Sequence, residues 1–264
     1  MRPYRVASAV LAALILSLAT LFTAPAAGAA GVQYVALGDS YSSGVGAGSY
    51  ISASGSCYRS TKSYPYLWNA AHAPSSFAFV ACSGAKTDDV ISGQLSSLSS
   101  ATTLVSISIG GNDAGFADTM TTCVLSSDSA CLSAVSASRT YINNTLPGKL
   151  DTVYADIRAK APNAHVVVLG YPHMYKIGGS CLFGIGDTKR SAINAAADDL
   201  ASVTAKRAAD AGFTFVDVRG IFTNHEICSG SAWLNSTKLT VFESYHPNSS
   251  GQAYGYLPSF SSAA

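Results

Sequence analysis

The amino-acid sequence predicts one α/β domain built on a parallel, doubly wound β-sheet. Two observations point to this fold class. Five short apolar runs have the length and composition of buried strands, and segments of helical character lie between them. Such alternation is typical of a parallel sheet with helices on its faces. Residues 31–264 have a length that suits a single domain with a sizeable core.

The predicted elements follow from apolar patterning and from glycine and proline positions. The five predicted strands are 32–37, 77–81, 104–109, 165–169 and 213–218. Helices are predicted over 63–71, over 133–160 with a break at Pro147 and Gly148, over 190–211 before Gly212, and over 249–260. Two stretches rich in serine or glycine, 42–60 and 92–103, are expected to be surface loops.

Residues 1–30 have the features of a secretory signal peptide. Arg2 and Arg5 precede an apolar stretch of 17 residues, 6–22, and a run of small residues follows at 24–30. The alternative is a membrane anchor, since that stretch is nearly long enough to span a bilayer. We favour a cleaved leader, because no basic cluster follows the apolar stretch. The domain, 31–264, is then expected to be secreted and extracellular, with no stable membrane anchor after cleavage.

The charge balance excludes some classes of partner. The formal net charge is +1, and loss of Arg2 and Arg5 with the leader lowers it by two, to −1. Charged residues make up only 12% of the chain. No basic patch of the kind that binds nucleic acid or anionic membranes is present in the sequence. We expect a monomer.

The cysteines point to an oxidising compartment. All six lie beyond the leader, at Cys57, Cys82, Cys123, Cys131, Cys181 and Cys228. An even number in an exported chain predicts three disulfides, although spacing alone leaves their pairing open. A zinc site is the competing use, but the chain has no C-x-x-C pair.

Three short motifs directly follow predicted strands, and the first of them contains Ser40. It lies in the stretch 38–42, just past the end of the first strand, and Gly84 and Asn112 follow the second and third strands. Because ligands bind parallel sheets beyond the carboxyl ends of the strands, one cleft can hold all three. A serine placed there could act as a nucleophile if a base lies within hydrogen-bond reach. By itself it could equally cap a turn or helix.

Together with His246, these residues resemble the SGNH (or GDSL) hydrolase family. The four family blocks correspond to Ser40, Ser83-Gly84, Gly110-Gly111-Asn112-Asp113 and Tyr245-His246-Pro247, in the family's order. The resemblance covers essentially all of residues 31–264 and is strongest to secreted lipases and esterases of actinobacteria. It implies a three-layer, flavodoxin-like sandwich with a five-stranded parallel sheet. It also implies carboxylic ester hydrolysis without a cofactor or metal.

The resemblance also implies roles for individual residues. Ser40 would be the nucleophile and His246 its base. The backbone N–H groups of Ser40 and Gly84 and the side-chain amide of Asn112 would form the oxyanion hole. Asp39 and Asp113 are interpreted as supporting hydrogen-bond acceptors. The relatives imply sequential disulfides, namely Cys57–Cys82, Cys123–Cys131 and Cys181–Cys228.

Two choices remain open at the base. From the residues alone, His173 is a rival to His246, because it too follows a strand end; His72, His165 and His225 are interpreted as structural. Glu243 stands where the family usually has aspartate, so it could orient the imidazole. The alternative is the backbone carbonyl of Ser244, as in relatives with only a Ser–His dyad.

The function favoured by these residues is that of an extracellular serine lipase or esterase acting on fatty-acyl esters. Aromatic residues in the loops could line an apolar acyl groove: Tyr41, Tyr50, Phe116, Tyr171, Tyr175 and Phe183. A phospholipase A-type acyl hydrolase and a short-chain or carbohydrate acetyl esterase are the alternatives. The G-x-S-x-G elbow of another hydrolase class is excluded, because Ser42 occupies its second glycine position. A metallophosphoesterase, a Ser–His peptidase and a non-catalytic binding module are the competing classes.

Overall fold

A single five-stranded parallel sheet organises the domain. The computed structural model describes residues 31–181 and 184–264, so the predicted leader and Phe183 lie outside the described residues. The strands are β1 (Gln33–Ala36), β2 (Ser76–Phe79), β3 (Leu104–Ile107), β4 (His165–Leu169) and β5 (Thr214–Val216). They lie side by side in the order β2-β1-β3-β4-β5, all parallel. This confirms the doubly wound, flavodoxin-like sheet that the sequence predicted.

Helices cover both faces of the sheet. The α-helices are α1 (Ser40–Ser43), α2 (Tyr64–His72), α3 (Thr87–Asp89), α4 (Phe116–Leu125), α5 (Asp128–Asn144), α6 (Leu146–Lys160), α7 (Asp187–Asp210) and α8 (Leu257–Ser261). Shorter helical turns are Ser52–Cys57, Val90–Gln94, Leu95–Ser97, Val241–Glu243 and Gly251–Tyr256. Helices α4 to α7 pack against one another, while α2 packs on α8. Within the described residues, none of the helices is long and apolar enough to cross a membrane.

The core lies between the sheet and its two helical layers. Valine-rich β4 is buried from Val166 onward, as expected for a central parallel strand covered on both faces. On β1, the fully buried ring of Tyr34 stacks on Phe77 and Phe260 and so joins the sheet to α8. The phenol of Tyr34 shares a 2.7 Å hydrogen bond with Ser106 of β3, which satisfies two polar groups inside the sheet.

Three segments differ from the sequence-based expectation. Residues 92–103 were expected to be a helix-poor loop, but helical turns run from Thr87 to Ser97 because Val90, Gln94 and Leu95 turn inward and are buried. In the expected loop 42–60, helical turns occupy Ser42–Ser43 and Ser52–Cys57. Helix α4 lay outside every predicted element.

Three disulfides cross-link the domain. They join Cys57 to Cys82, Cys123 to Cys131 and Cys181 to Cys228. The second connects the end of α4 to the start of α5, and both of its cysteines are fully buried. Lys189 of α7 donates to the carbonyls of Cys123 and Ser126 at 2.9 and 2.7 Å. The C-terminal end of α4 is therefore held by a covalent link and by a buried cation at its unpaired carbonyls.

Candidate active site

Ser40 begins a short helix directly beyond the carboxyl end of β1. The preceding residue, Asp39, is its N-cap and accepts a 3.0 Å hydrogen bond from the N–H of Tyr41. Gly38 has a φ of +120°, and a Cβ there would come within 2.5 Å of the carbonyl oxygen of Ser108. Only glycine fits this close approach of β1 to β3. The turn therefore places Ser40 at the sheet edge, where its side chain opens into two neighbouring pockets.

His246 contacts Ser40 directly. Its Nε2 lies 2.8 Å from Ser40 Oγ, and its Nδ1 lies 2.8 Å from the carbonyl oxygen of Ser244. Because a carbonyl can only accept, Nδ1 carries the proton and the Nε2 lone pair faces the serine. Desolvation lowers the pKa of His246 to about 4, against the opposing effects of the Ser244 carbonyl and of Glu243. At neutral pH the imidazole is therefore uncharged and can accept a proton.

Glu243 has other partners than the histidine. Its Oε1 accepts a 2.7 Å hydrogen bond from the hydroxyl of Tyr50, and its Oε2 pairs with Lys238 Nζ at 2.5 Å. Lys238 and Tyr50 hold the pKa of the Glu243 carboxyl below its usual range. Of the two groups considered for orienting the imidazole, the Ser244 carbonyl is the one within hydrogen-bond distance of Nδ1.

Ser40, Gly84, Asn112 and His246 line one open groove. Gly84 has a φ of +79°, a backbone conformation that residues with a side chain rarely adopt. Among the described residues, the backbone N–H groups of Ser40 and of Gly84 form no backbone hydrogen bond. The side-chain amide of Asn112 donates a 3.0 Å hydrogen bond to the carbonyl of Ala85, which fixes its orientation. The three groups predicted to bind an oxyanion thus share one surface with the serine and the histidine.

The other four histidines are engaged elsewhere. His173, the rival base, pairs with Asp198 at 2.7 Å. The remaining three contact backbone carbonyls or stack on tryptophan: His72 on Trp68, His165 at Ala263, and His225 on Trp233.

A buried hydrogen-bond network lies under the serine. Asp39 is 1% exposed, and it accepts hydrogen bonds from the hydroxyls of Ser108 and Tyr171 as well as from its own helix. Burial raises its pKa to about 6, in spite of these three donors. Ser42 continues the network, at 2.7 Å from Ser108 Oγ and 3.0 Å from the hydroxyl of Tyr64. Asp113 accepts from the N–H and hydroxyl of Thr87, so both aspartates act as hydrogen-bond acceptors.

An apolar cavity begins at Ser40 and runs between α4, α5 and α7. Its apolar walls include Phe116, Met120, Val135, Ile142, Met174, Ile193 and Leu200, and three alanines also line it: Ala114, Ala196 and Ala197. Of the loop aromatics predicted to line a groove, Tyr41, Phe116 and Tyr171 border this cavity. Tyr50 instead binds Glu243, and Tyr175 is buried beside Ile227.

Most residues that line this cavity could not be predicted from the sequence, because they come from helices that lie far apart in the chain. The buried serines under Asp39 were also missed. Ser106 and Ser108 interrupt the apolar run of the third strand, and a polar residue in such a run is a signal for a buried network.

Comparisons with known proteins place these observations in a family. The sequence profile of the GDSL-like Lipase/Acylhydrolase family matches residues 36–254. Lipase 1 of Streptomyces coelicolor is 66% identical over 237 residues, which is 89% of this chain and 88% of that protein.

Two solved structures share the fold closely. A phospholipase A1 from Streptomyces albidoflavus NA297 is 58% identical with a TM-score of 0.87, covering 89% of this chain and all of that one. An extracellular lipase from Streptomyces rimosus is 62% identical, also with a TM-score of 0.87, covering 88% of this chain and all of that one. On the profile match and these identities, the chain belongs to the GDSL-like lipase/acylhydrolase family.

Proposed function

We propose that this ester hydrolase is a secreted lipase that cleaves fatty-acyl carboxylic esters through an acyl-enzyme on Ser40. The observation that carries the proposal is the union of the Ser40–His246 pair with an apolar cavity that begins at the same serine. The pair supplies an activated nucleophile, and the cavity supplies a place for an acyl chain.

The first half of the reaction forms the acyl-enzyme. Ser40 Oγ attacks the ester carbonyl carbon while His246 Nε2 takes the hydroxyl proton. The oxyanion that develops would be met by the N–H groups of Ser40 and Gly84 and by the amide of Asn112. When the tetrahedral intermediate collapses, the C–O bond of the ester breaks and the imidazolium gives its proton to the leaving alkoxide.

The second half returns the free enzyme. Water attacks the acyl-serine carbonyl as His246 Nε2 removes its proton, and the same donors receive the oxyanion. Collapse releases the carboxylic acid, and the proton returns to Ser40 Oγ. Throughout, the Ser244 carbonyl would hold Nδ1–H and keep Nε2 aimed at the serine. We therefore favour a Ser–His dyad over a triad that includes Glu243.

The cavity separates the candidate substrates. The apolar walls of the cavity, which run from Ser40 past α4, α5 and α7, favour longer acyl chains over acetyl esters. A phospholipase A-type activity is the second candidate, and the similarity to a phospholipase A1 favours it. The acyl chemistry is the same in both cases, and only the alcohol half of the substrate differs.

Export and a cofactor-free mechanism complete the proposal. The sequence of residues 1–30 supports a signal peptide, and a relative that is 62% identical is an extracellular lipase. The three disulfides fit an oxidising compartment. The acyl transfer described above uses side chains and backbone of this chain, acting as a monomer, without a cofactor.

Hydrolysis of a p-nitrophenyl ester series, from acetate to palmitate, tests the proposal. We expect rising kcat/KM toward longer chains, and a loss of at least about 10⁴-fold in Ser40→Ala on every ester. A Ser40→Ala variant as active as the wild type would overturn the assignment of the nucleophile. A preference for acetate alone would make the protein a short-chain esterase.

One helix offers a matched pair of variants for the cavity. Ala197→Leu fills it, and we expect kcat/KM for long chains to fall by about tenfold relative to butyrate. Ala205→Leu lies on the same helix outside the cavity lining and should leave the chain-length profile unchanged. Equal profiles for the two variants would show that acyl chains bind elsewhere.

A further inference from the structure

Exposed apolar side chains cluster at the mouth of the active-site groove. Leu239 is fully exposed, and Leu125 and Val241 are each 78% exposed, which makes them the three most exposed large apolar side chains among the described residues. Leu125 and Val241 stand at the outer edge of the groove that holds Ser40 and His246, and Leu239 lies between Thr237 and Val241, which both border it. With Phe242, we call these residues the apolar rim.

The rim comes from two separate segments that both line the groove. Leu125 is the last residue of α4, and the other three belong to the segment 239–242 that leads to His246. Scattered exposed leucines need no explanation, but a contiguous apolar patch around a binding site marks an interaction surface.

Both segments are anchored, so the rim side chains are held outward. The end of α4 is fixed by the Cys123–Cys131 disulfide and by Lys189. Phe242 stacks on Tyr58 with ring centres 4.2 Å apart, and Glu243 is bonded to Tyr50 and Lys238. The three most exposed rim side chains, Leu125, Leu239 and Val241, are thus displayed to solvent by supports other than themselves.

The charge around the rim selects the kind of partner. Over residues 116–126 the only charged residue is Asp118, and over 234–247 Lys238 and Glu243 neutralise each other as an ion pair. Anionic surfaces attract polybasic segments, and neither segment is one. An uncharged or zwitterionic surface that accepts apolar side chains fits this patch.

We infer that the apolar rim inserts into the surface of uncharged or zwitterionic lipid aggregates and delivers the groove to esters in that surface. This interfacial role rests on the proposed function, since the lipid substrate would be drawn from the surface that the rim contacts. Leu125 and Leu239 would enter the acyl boundary, where each buried apolar side chain adds to binding.

The test uses the full domain with Ser40→Ala, so that the lipid is not consumed. Binding to phosphatidylcholine vesicles is measured by sedimentation for this protein, for the added double change Leu125→Ser/Leu239→Ser, and for the added change Val32→Ser. Val32 is a matched control: it is 40% exposed but precedes β1, at the opposite edge of the sheet from Ser40. We expect the double change to weaken vesicle partitioning by at least about tenfold and Val32→Ser to leave it unchanged.

A second measurement distinguishes an effect on lipid binding from an effect on catalysis. With the wild-type serine restored, the double variant should keep kcat/KM for soluble p-nitrophenyl acetate within about twofold, while hydrolysis of a vesicle-borne ester falls in step with binding. Thermal melting checks that the variant is folded.

Several results would overturn the inference. These are equal binding of rim and control variants to neutral vesicles, binding that needs anionic lipid, or a wild-type dimer in sedimentation velocity that the double variant dissociates. If the wild-type protein cleaves soluble esters but does not bind vesicles, the interfacial role of the rim is wrong and the proposed function stands. If it binds vesicles through the rim but cleaves no ester, the proposed function is wrong and the binding role of the rim stands.

Discussion

The serine and the histidine of the site are held in place by different means. The serine side, residues 38–44, is buried: Asp39, Ser42 and Ser43 are each at most 1% exposed, and Gly38 exchanges two hydrogen bonds with the side chain of Gln94. The histidine side, residues 234–247, is a surface segment. It depends on local pairing of Asn235 with Tyr245 and His246 and on a few side-chain contacts to the rest of the domain.

The difference shows which half of the site is specified by the sheet. The position of Ser40 follows from the end of β1 and from the close approach of Gly38 to β3. The position of His246 instead depends on contacts that fold the segment back, including the 2.8 Å hydrogen bond from the Tyr41 hydroxyl to the carbonyl of Tyr245. Changes to the residues that support Ser40 should therefore cost stability, whereas loss of His246 should cost activity with little loss of stability.

Replacement of the base should have the largest effect on activity with little effect on stability. We expect His246→Ala to lower kcat by about 10⁴-fold or more, because Ser40 then lacks a group that takes its proton. His173→Ala is the matched control and should keep nearly full activity, since His173 pairs with Asp198 instead. Turnover of p-nitrophenyl butyrate and thermal melting measure both. A dead His173→Ala beside an active His246→Ala would invert the assignment.

Asn112 tests the predicted oxyanion hole, in the groove that Ser40 and His246 also line. We expect Asn112→Ala to lower kcat by about 10²–10³-fold, or roughly 3–4 kcal/mol of barrier, because an oxyanion donor is lost. KM should change little, since the charge on the oxygen develops only toward the transition state. A rate within a few-fold of the wild type would remove Asn112 from the oxyanion hole.

Asp39 tests the serine side through the pH dependence of stability. Its pKa is about 6 in the folded protein against 3.8 for a free aspartate side chain, so the folded state binds the proton more tightly than the unfolded chain. This contribution to stability is complete below pH 4 and is lost as the pH rises through about 6, a change of about 3 kcal/mol. Asp39→Asn removes the titration.

Urea unfolding at pH 4 and pH 7 measures this effect. The stability of the wild type relative to Asp39→Asn should fall by about 3 kcal/mol from the lower to the higher pH. Asp118→Asn, at an exposed position on α4, is the control and should give no comparable change. A flat difference for Asp39→Asn would mean that the buried network stabilises the ionised carboxylate fully.

The same contrast explains how much the sequence could predict. The strands and Ser40 are visible in the sequence because a buried parallel strand is a short apolar run, and the residue after it lies at the sheet edge. Helix α4 was missed because its threonines are weak helix formers. Tertiary contacts at its end, through Cys123 and Lys189, override that propensity.

The cavity arises from packing between α4, α5 and α7, which no local sequence pattern encodes. The partners of Glu243 also could not be predicted, since Tyr50 lies 193 positions away in the chain.

Glu243→Gln should have the smallest effect, and it decides between a dyad and a triad. In the structure Glu243 anchors the histidine side through Tyr50 and Lys238, while the Ser244 carbonyl accepts the hydrogen bond from Nδ1–H of His246. We expect kcat to stay within about threefold and stability to fall by no more than about 1 kcal/mol, the range of partly exposed ion pairs. A carboxylate that oriented the imidazole would instead cost orders of magnitude in kcat.

The pH profile of the same variant provides an independent check. Because His246 must be uncharged to accept the serine proton, kcat/KM should fall on the acid side only near its pKa of about 4. The Glu243 charge raises the pKa of His246, so Glu243→Gln should move this acid limb to lower pH or leave it in place. A large shift of the acid limb to lower pH, together with a loss of kcat above about 100-fold, would contradict the dyad, because both follow from losing a carboxylate that stabilises the imidazolium. The histidine side would then rely on a carboxylate as the serine side does on Asp39.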